Sequence, residues 1–316
     1  MKKISGYVIK LVCGIASVCS CACSMTPSAG PKSPRPDPDS FFKTDSLILC
    51  GTYYYPEQWP ESQWDRDFSR MKELGFEFTH FGEFAWAAME PEEGKFDFSW
   101  LDKAVNLAAS HGLKVIMCTP TPTPPAWMTS RHPEMSVTSQ AGQRVEHGAR
   151  QHVSWASGKY REYVKRIVVK LAERYGNNPA VIGWQIDNEP SHYSFSYDYS
   201  ENATENFRIW LENKYTDIDS LNNVWGNSFW SQTYNSFSQI SIPNQKVLPG
   251  TANPHAVLDY KRYTADEAAS FVNMQADLLR SIVSENQWIT TNTMPGHSPV
   301  DPARMKSLDF LTYTRS

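Results

Sequence analysis

Residues 181–190 read Val-Ile-Gly-Trp-Gln-Ile-Asp-Asn-Glu-Pro, and this stretch decides how the rest of the chain is interpreted. Its mainly apolar first part predicts a buried strand over residues 181–187. The strand runs directly into Asn188 and Glu189, so an amide and a carboxylate stand where the strand ends. In barrels of alternating strands and helices, functional side chains are carried at the carboxyl ends of the strands.

Outward from this strand, short apolar runs alternate with amphipathic segments. Strands are predicted over residues 47–54, 76–81, 114–118, 181–187, 288–294 and 310–314. Helices are predicted over residues 64–74, 100–111, 160–175, 204–215 and 263–285. This alternation predicts a parallel sheet with crossover helices.

Six parallel strands fit either an open doubly wound sheet or part of a barrel. The open sheet usually carries a glycine-rich phosphate turn, but no GxGxxG follows the first strand and no GxxxxGK[ST] occurs anywhere. We therefore expect an α/β fold, a (β/α)8 TIM barrel truncated after about the sixth strand. The incomplete catalytic barrel is expected to occupy residues 46–316, with two further strands outside the sequence.

The first 23 residues are predicted to be a bacterial lipoprotein-type signal peptide. Two lysines precede an apolar run over residues 7–18, which is too short for a comfortable membrane span. Four of the six cysteines fall in this region, and Cys21 is predicted to be lipidated, with Cys23 as the alternative. An ordinary secretory signal, cleaved after export, is the other interpretation.

Residues 24–45 are predicted to be an extended tether. Five prolines stand among Ser, Lys and Asp without apolar periodicity, so the segment cannot bury enough surface to fold. A lipid anchor followed by a tether holds a protein near a membrane without embedding it. We therefore expect an exported bacterial protein, in the periplasm or on the outer membrane or cell surface.

Composition excludes some classes of function. The formal net charge is −4 and the pI about 6.1, so nucleic acid is a poor candidate as a partner. Eight histidines occur without an HExxH motif or a His/Cys cluster, so neither a metal nor another cofactor is expected. Eleven tryptophans fit a carbohydrate site, because sugar rings stack on aromatic faces, although core packing explains most of them equally well.

Glu189 is the leading catalytic candidate. Glycoside cleavage needs a carboxylic acid beside the leaving oxygen and a second carboxylate across the sugar ring. Glu189 could supply the acid, and Asn188 could bond a sugar hydroxyl next to it. The alternative is a solvated loop glutamate before Pro190.

Other loops at predicted strand ends carry a second set of candidates. Glu83 follows the second strand and could either orient a substrate or form a structural ion pair with Arg150. Glu57 follows the first strand and is interpreted as part of the loop architecture. Residues 119–127 contain four prolines, which would hold a stiff loop over a site or form a structural corner.

Together these segments resemble glycoside hydrolase family 42, the (β/α)8-barrel β-galactosidases. The resemblance extends from Gly51 to about Thr314. The matching segments are residues 54–59, 82–86, 90–94, 99–102, 119–127, 184–189, 210–211, 214–215, 221–222, 225–226, 229–232, 258–259, 291–292 and 294. Each segment is weak evidence alone, but their number and order make the resemblance specific.

The resemblance implies retaining hydrolysis of terminal β-D-galactosides. Glu189 corresponds to the family's acid/base and Asn188 to its sugar-binding neighbour. Arg150 falls in the galactose-binding arginine segment, and Trp230 corresponds to an aromatic wall of the sugar site. The family's nucleophile is a glutamate at the end of the seventh strand, so it is expected beyond residue 316. Members are often homotrimers, which makes that assembly a candidate.

The sequence departs from the family pattern in three places. Pro190 and Ser191 stand where the family usually has Tyr-Gly, and Gln151 replaces the second arginine of an Arg-Arg-His segment. Ser154 stands where some members begin a zinc-binding cysteine cluster, so zinc is not expected. Two alternatives therefore stay open: a related β-glycosidase with another sugar specificity, and a non-catalytic sugar-binding remnant.

Overall fold

The computed structural model describes residue 41 and residues 49–191, 197–244, 246, 248, 250–294 and 299–314. All of them belong to one structural unit, Pro36–Ser316. The predicted signal peptide, with Cys21, and all but one residue of the predicted tether lie outside the described residues. Within the described ranges, every helix is too short or too polar to cross a membrane.

A parallel sheet forms the wall of the fold. In the described part of the chain its strands are β1 (Gly51–Tyr53), β2 (Phe78–Phe81), β3 (Lys114–Cys118), β4 (Val181–Gln185) and β5 (Trp288–Thr290). They stand in the order β1-β2-β3-β4-β5, and each neighbouring pair is parallel. A doubly wound open sheet reverses its strand order at a switch point. Here the strand order follows the sequence, as it does in a barrel, so the predicted barrel is confirmed.

The wall continues past β5. After one intervening residue, Thr291, the chain forms β6 (Asn292–Thr293), which pairs in parallel with β7 (Thr312–Tyr313). The backbone N–H of Thr312 also donates to the carbonyl of Thr291 at 3.1 Å. The predicted fifth strand is therefore interrupted at Thr291, and β7 lies in the sixth position of the wall.

Helices connect the strands and cover the outside of the sheet. Those of the described residues are α1 (Glu61–Glu73), α2 (Trp86–Met89), α3 (Ser99–Ser110), α4 (Ala126–Arg131), α5 (Gly158–Tyr175), α6 (Glu201–Tyr215), α7 (Ile218–Trp225) and α8 (Pro254–Arg280). Helix α8 begins earlier than predicted because Asn253 caps it, accepting from the N–H groups of His255 and Ala256.

Three helices were not predicted, and the longest of them is α7. Its sequence nevertheless carries a signal at each end. The Asp217 side chain accepts from the N–H of Ser220, and Gly226 ends the helix at a φ of +67°. A helix of about two turns shows too few repeats for its apolar periodicity to be recognised.

The described residues form two groups of buried apolar side chains. The larger lies between the sheet and helices α1, α3, α5 and α8, and includes Phe68, Leu101 and Trp184. The smaller lies mainly in residues 201–253, which form an insertion between β4 and α8, and includes Phe207 and Trp225. Residues of α8 contribute to both groups, so this helix joins the insertion to the barrel wall.

Candidate active site

The carboxyl end of β4 carries the segment predicted to be catalytic. The N–H of Ile186 still donates to the carbonyl of Thr290 at 2.8 Å, so the strand is held to its neighbour almost to its end. Beyond it, Asp187 and Glu189 adopt φ values of +54° and +46°. Such values cost a non-glycine residue about 1–3 kcal/mol, so contacts must hold the segment in place.

Asp187 is the most buried carboxylate of this segment, at 1% exposure. It accepts hydrogen bonds from the Thr121 hydroxyl at 2.6 Å, from the N–H of Asn188 at 2.7 Å and from the Gln151 amide at 3.2 Å. Burial raises the pKa of Asp187 to about 6, while these three bonds oppose the rise. Neutral donors therefore stabilise the carboxylate.

Gln151 holds the same segment from one side. Its amide nitrogen donates to Asp187, to the carbonyl of Asn188 and, at 3.1 Å, to the carbonyl of Glu189. Its amide oxygen accepts from the N–H of Ser191 at 3.2 Å. In the sequence, Gln151 stands out only as a departure from an arginine pattern. In the structure it contacts four residues of the predicted catalytic loop, residues 187–189 and 191.

Asn292, on β6, holds the segment from the other side. Its side-chain oxygen accepts from the N–H of Glu189 at 3.0 Å. Its side-chain nitrogen donates to the Asn188 amide oxygen at 2.7 Å and to the Thr314 hydroxyl at 3.0 Å. This one carboxamide connects the ends of three positions in the wall and fixes the orientation of the Asn188 side chain.

Glu83 lies at the end of β2 and is almost fully buried, at 2% exposure. It accepts from the Tyr55 hydroxyl at 3.0 Å and from the Gln185 amide at 2.7 Å. Burial raises the pKa of Glu83 to about 7, against the effect of these two bonds and of the positive charge of Arg150. Glu83 is therefore a carboxyl group that titrates near neutral pH.

Arg150 is exposed and its guanidinium lies over the Phe84 ring, 5.6 Å from the ring centroid. Its charge acts on Glu83, which brings these two predicted residues into one neighbourhood. Tyr53 lies close enough to both Glu83 and Glu189 to feel their charges. Partial burial raises the pKa of the Tyr53 phenol, and these two charges raise it further. Both carboxylates thus act on the same phenol.

Trp230 lies elsewhere, in the insertion. It is 70% exposed, adopts a φ of +52° and stacks on Phe229 with 4.6 Å between ring centroids. Together with Gln232 and Tyr234 it lines a pocket formed by residues 230–256. The place of Trp230 in the sugar site stays a prediction.

The sequence did not assign a role to several residues that the structure places around the predicted ones. They are Tyr53, Tyr55, Thr121, Gln151, Gln185, Asp187 and Asn292. One signal was available, because Tyr53 and Tyr55 alternate at the end of a strand. Asn292 carried none, because it lies inside the predicted fifth strand. Gln185 carried no such signal, because it lies inside an apolar strand.

The arrangement is suited to acid–base chemistry. Glu189 is 7% exposed, and its backbone is fixed from two sides, so the carboxyl group can hold or release a proton at a defined place. Amide, phenol and guanidinium groups nearby are the donors that bind sugar hydroxyl groups. Among the described residues, no group of three or more His, Cys, Asp or Glu side chains could hold a metal ion.

Comparison with known proteins agrees with this site. The family model of the family 42 glycosyl hydrolases, described as β-galactosidase, matches residues 53–315. A β-galactosidase of Thermus thermophilus is 41% identical over 266 residues, which are 84% of this chain and 41% of that protein. β-Galactosidase Bga of Halorubrum lacusprofundi is 40% identical over 252 residues, 80% of this chain and 35% of that protein.

Solved structures support the same relationship. The crystal structure of a β-galactosidase from the psychrophilic Marinomonas ef1 superposes with a TM-score of 0.82 at 38% identity, over 85% of this chain and 41% of that one. The chain thus spans about 40% of the length of the relatives it matches. Its strands β1 to β7 occupy the first six positions of a (β/α)8 barrel. The chain belongs to glycoside hydrolase family 42, the β-galactosidase family.

Proposed function

We propose that this chain carries the acid/base half of a retaining β-galactosidase, with Glu189 as the acid/base. The observation that carries the proposal is the clamped segment at the end of β4. Gln151 and Asn292 hold the backbone of Glu189 from opposite sides. Family membership and the relatives, which are β-galactosidases, support a β-galactoside as the substrate.

In the proposed reaction, the protonated carboxyl group of Glu189 gives its proton to the glycosidic oxygen as the bond to the anomeric carbon breaks. A nucleophilic carboxylate attacks that carbon and forms a glycosyl ester. Glu189, now ionised, takes a proton from water while the water oxygen attacks the anomeric carbon and releases the nucleophile. We assign the nucleophile to no residue of this sequence, and expect it beyond residue 316.

Three neighbours are proposed to bind the sugar. Asn188 is proposed to donate from its amide nitrogen to a sugar hydroxyl, and Asn292 orients that amide by donating to its oxygen at 2.7 Å. Arg150 is exposed and is proposed to donate to the substrate beside Glu83. Glu83, buried and bonded to Tyr55, is proposed to accept from a sugar hydroxyl when ionised.

The cellular location and the assembly are further proposals. The sequence pattern of the first 23 residues supports an exported lipoprotein anchored through Cys21. Mass spectrometry of the mature N-terminus tests this, since an acylated Cys21 supports the anchor and an unmodified N-terminus contradicts it. A homotrimer is the proposed assembly, and light scattering that gives the mass of a monomer or dimer would contradict it.

The decisive test is to measure how the complete gene product hydrolyses a panel of 4-nitrophenyl β-glycosides. We expect the galactoside to be the best substrate. Glu189→Gln should lower kcat by about 10²–10⁴-fold, since that is the usual contribution of a general acid–base group. Glu285→Gln is the matched control, because Glu285 is exposed on a distant turn.

The other outcomes distinguish the alternatives. A preference for another glycoside would support the related β-glycosidase. A folded protein that cleaves no member of the panel would contradict the proposed function and favour the sugar-binding remnant. Equal activity of Glu189→Gln and the control would remove Glu189 from the reaction.

A further inference from the structure

We infer that Gln151 is the positioning residue that sets the location of the Glu189 carboxyl group. It acts through the backbone of residues 187–191 and does not itself touch the substrate. This inference rests on the proposed acid/base role of Glu189. It goes beyond that role because it names a group, outside the substrate contacts, on which the geometry of the acid/base depends.

The hydrogen bonds of Gln151 need a carboxamide. Its nitrogen faces three acceptors, which are a carboxylate oxygen of Asp187 and the carbonyls of Asn188 and Glu189. Its oxygen faces a donor, the N–H of Ser191. A glutamate would present an acceptor to the three acceptors, and an arginine would present no acceptor to Ser191. A carboxamide shares its two N–H donors among the three acceptors and offers its oxygen to Ser191, which neither a carboxylate nor a guanidinium can do.

The segment depends on this support. Asp187 and Glu189 both adopt positive φ values, +54° and +46°, that non-glycine residues rarely adopt without contacts that enforce them. Gln151 bonds the carboxylate of the first residue and the carbonyl of the second. If the amide is lost, Glu189 can relax toward negative φ, and this rotation carries its side chain to a different place.

Gln151 is itself fixed to the barrel. It is 3% exposed and its backbone N–H donates to the carbonyl of Pro122 at 2.7 Å. Pro122 belongs to the proline-rich loop after β3, whose stiffness limits the movement of the clamp. The Thr121 hydroxyl of the same loop bonds Asp187. The loop after β3 therefore acts as the fixed base from which Gln151 holds the loop after β4.

A displaced acid has a recognisable kinetic signature. Leaving groups of high pKa need a proton from the acid, whereas a 2,4-dinitrophenolate departs without one. Misplacement by about 1 Å can lower a rate by about 100-fold when the displaced group takes part in the reaction. A Gln151 variant should therefore lose more kcat/KM with poor leaving groups than with good ones.

The experiment compares the complete wild-type gene product with Gln151→Met, which keeps the side-chain length but removes both hydrogen-bonding functions. The substrates are the 2,4-dinitrophenyl, 4-nitrophenyl and phenyl β-galactosides. We expect Gln151→Met to lower kcat/KM by about 10–100-fold for the phenyl galactoside and by less than about threefold for the dinitrophenyl galactoside. Azide, a nucleophile that needs no general base, should raise kcat of the variant with the dinitrophenyl substrate.

Two further variants and a control complete the test. Gln151→Glu should give a still steeper leaving-group dependence, because its carboxylate faces three acceptors. Gln151→Asn keeps the carboxamide and serves if the methionine variant does not fold. Gln143→Met, on an exposed part of the same loop, should match wild type.

The outcomes separate the inference from the proposed function. If a folded Gln151 variant loses the same factor of kcat/KM with every leaving group and does not respond to azide, Gln151 has only a structural role and the inference is wrong. If the wild type itself cleaves none of the three galactosides, the proposed function fails, and the inference fails with it.

Discussion

Among the described residues, non-glycine residues with positive φ angles lie in two regions, the loops beside the end of β4 and the insertion, and the two regions hold them differently. In the described residues of the loop after β4 and the loop that supports it, Asp187, Glu189 and Gln151 are all less than 10% exposed, and Gln151 donates to the other two. In the insertion, Trp230 and its neighbour Ser231 adopt similar angles on the surface. The first region uses buried hydrogen bonds to enforce its conformation, whereas Trp230 has the Phe229 ring beside it.

The strained backbone of the first region is enforced by specific hydrogen bonds, whereas that of the second is tolerated because it lies on the surface. A strained backbone that is enclosed by specific bonds marks a place where side-chain direction matters. An exposed strained residue can relax without disturbing the core. We therefore expect substitutions in the first region to affect both stability and catalysis, and substitutions in the second to leave stability nearly unchanged.

The largest expected effect on stability is that of Asp187→Ala. Removal of this carboxylate takes away the acceptor of the Thr121 hydroxyl and of the Asn188 N–H, and one of the three acceptors of the Gln151 amide. We expect the free energy of unfolding to fall by about 3 kcal/mol. Urea denaturation of the complete gene product measures this, with the exposed Asp219→Ala as the control. A loss no larger than that of the control would show that the clamp is not a stabilising network.

The second effect concerns pH. The folded pKa of Glu83, about 7, lies above its unfolded value of 4.5, so the folded state favours the protonated form. Its contribution to stability is therefore fully present below pH 4.5 and is lost as pH rises through 7. The shift corresponds to a change on the order of 3 kcal/mol.

Glu83→Gln isolates this contribution, because its neutral amide does not titrate. We expect wild type and variant to be similar in stability near pH 4.5, and wild type to lose stability relative to the variant by pH 8. Urea denaturation at both pH values gives the difference. A difference that does not change with pH would contradict the raised pKa.

A smaller effect on catalysis is expected for Trp230→Ala, if Trp230 forms the predicted wall of the sugar site. Loss of one stacking contact, about 0.5–1.5 kcal/mol, should lower kcat/KM by about 2–12-fold, mainly through KM. Ile209→Ala, at another exposed position of the insertion, is the control. Unchanged kinetics in Trp230→Ala would remove Trp230 from the sugar site.

The smallest effect sharpens the comparison of the two regions. Trp230→Gly relieves the positive φ at an exposed position, so we expect the free energy of unfolding to change by no more than about 0.5–1 kcal/mol, toward greater stability. The thermal unfolding midpoint measures it. A large destabilisation would show that the Trp230 ring supports the insertion, so that this region too would depend on its strained residue.

The wall of the fold could be predicted because its strands are short apolar runs separated by amphipathic helices. Strand β3 was predicted over the residues where it lies, 114–118, and β4 nearly so. The interruption of the fifth strand at Thr291 was not predicted, since its apolar and polar residues do not differ from those of a continuous strand. Helix α7 was missed because capping residues alone, without a long periodic face, were not enough.

The site was predictable in part. Glu189 and Glu83 follow apolar strands, so their position at the carboxyl edge could be inferred from local sequence. The clamp could not be, because Gln151 lies 36 residues from Asp187 in sequence and Asn292 lies 103 residues from Glu189. Contacts at such separations depend on which strands become neighbours and in which register, and a single sequence does not show this directly.

Helix α8 has a consequence for how the molecule could be altered. Its first half supplies Tyr260 and Tyr263 to the core of the insertion, and its second half supplies Phe271 and Leu279 to the core of the barrel. The insertion therefore cannot be exchanged between relatives by cutting the chain only in loops. A chimera would have to carry the whole helix with either part, and whichever junction is chosen leaves one of the two cores to be redesigned.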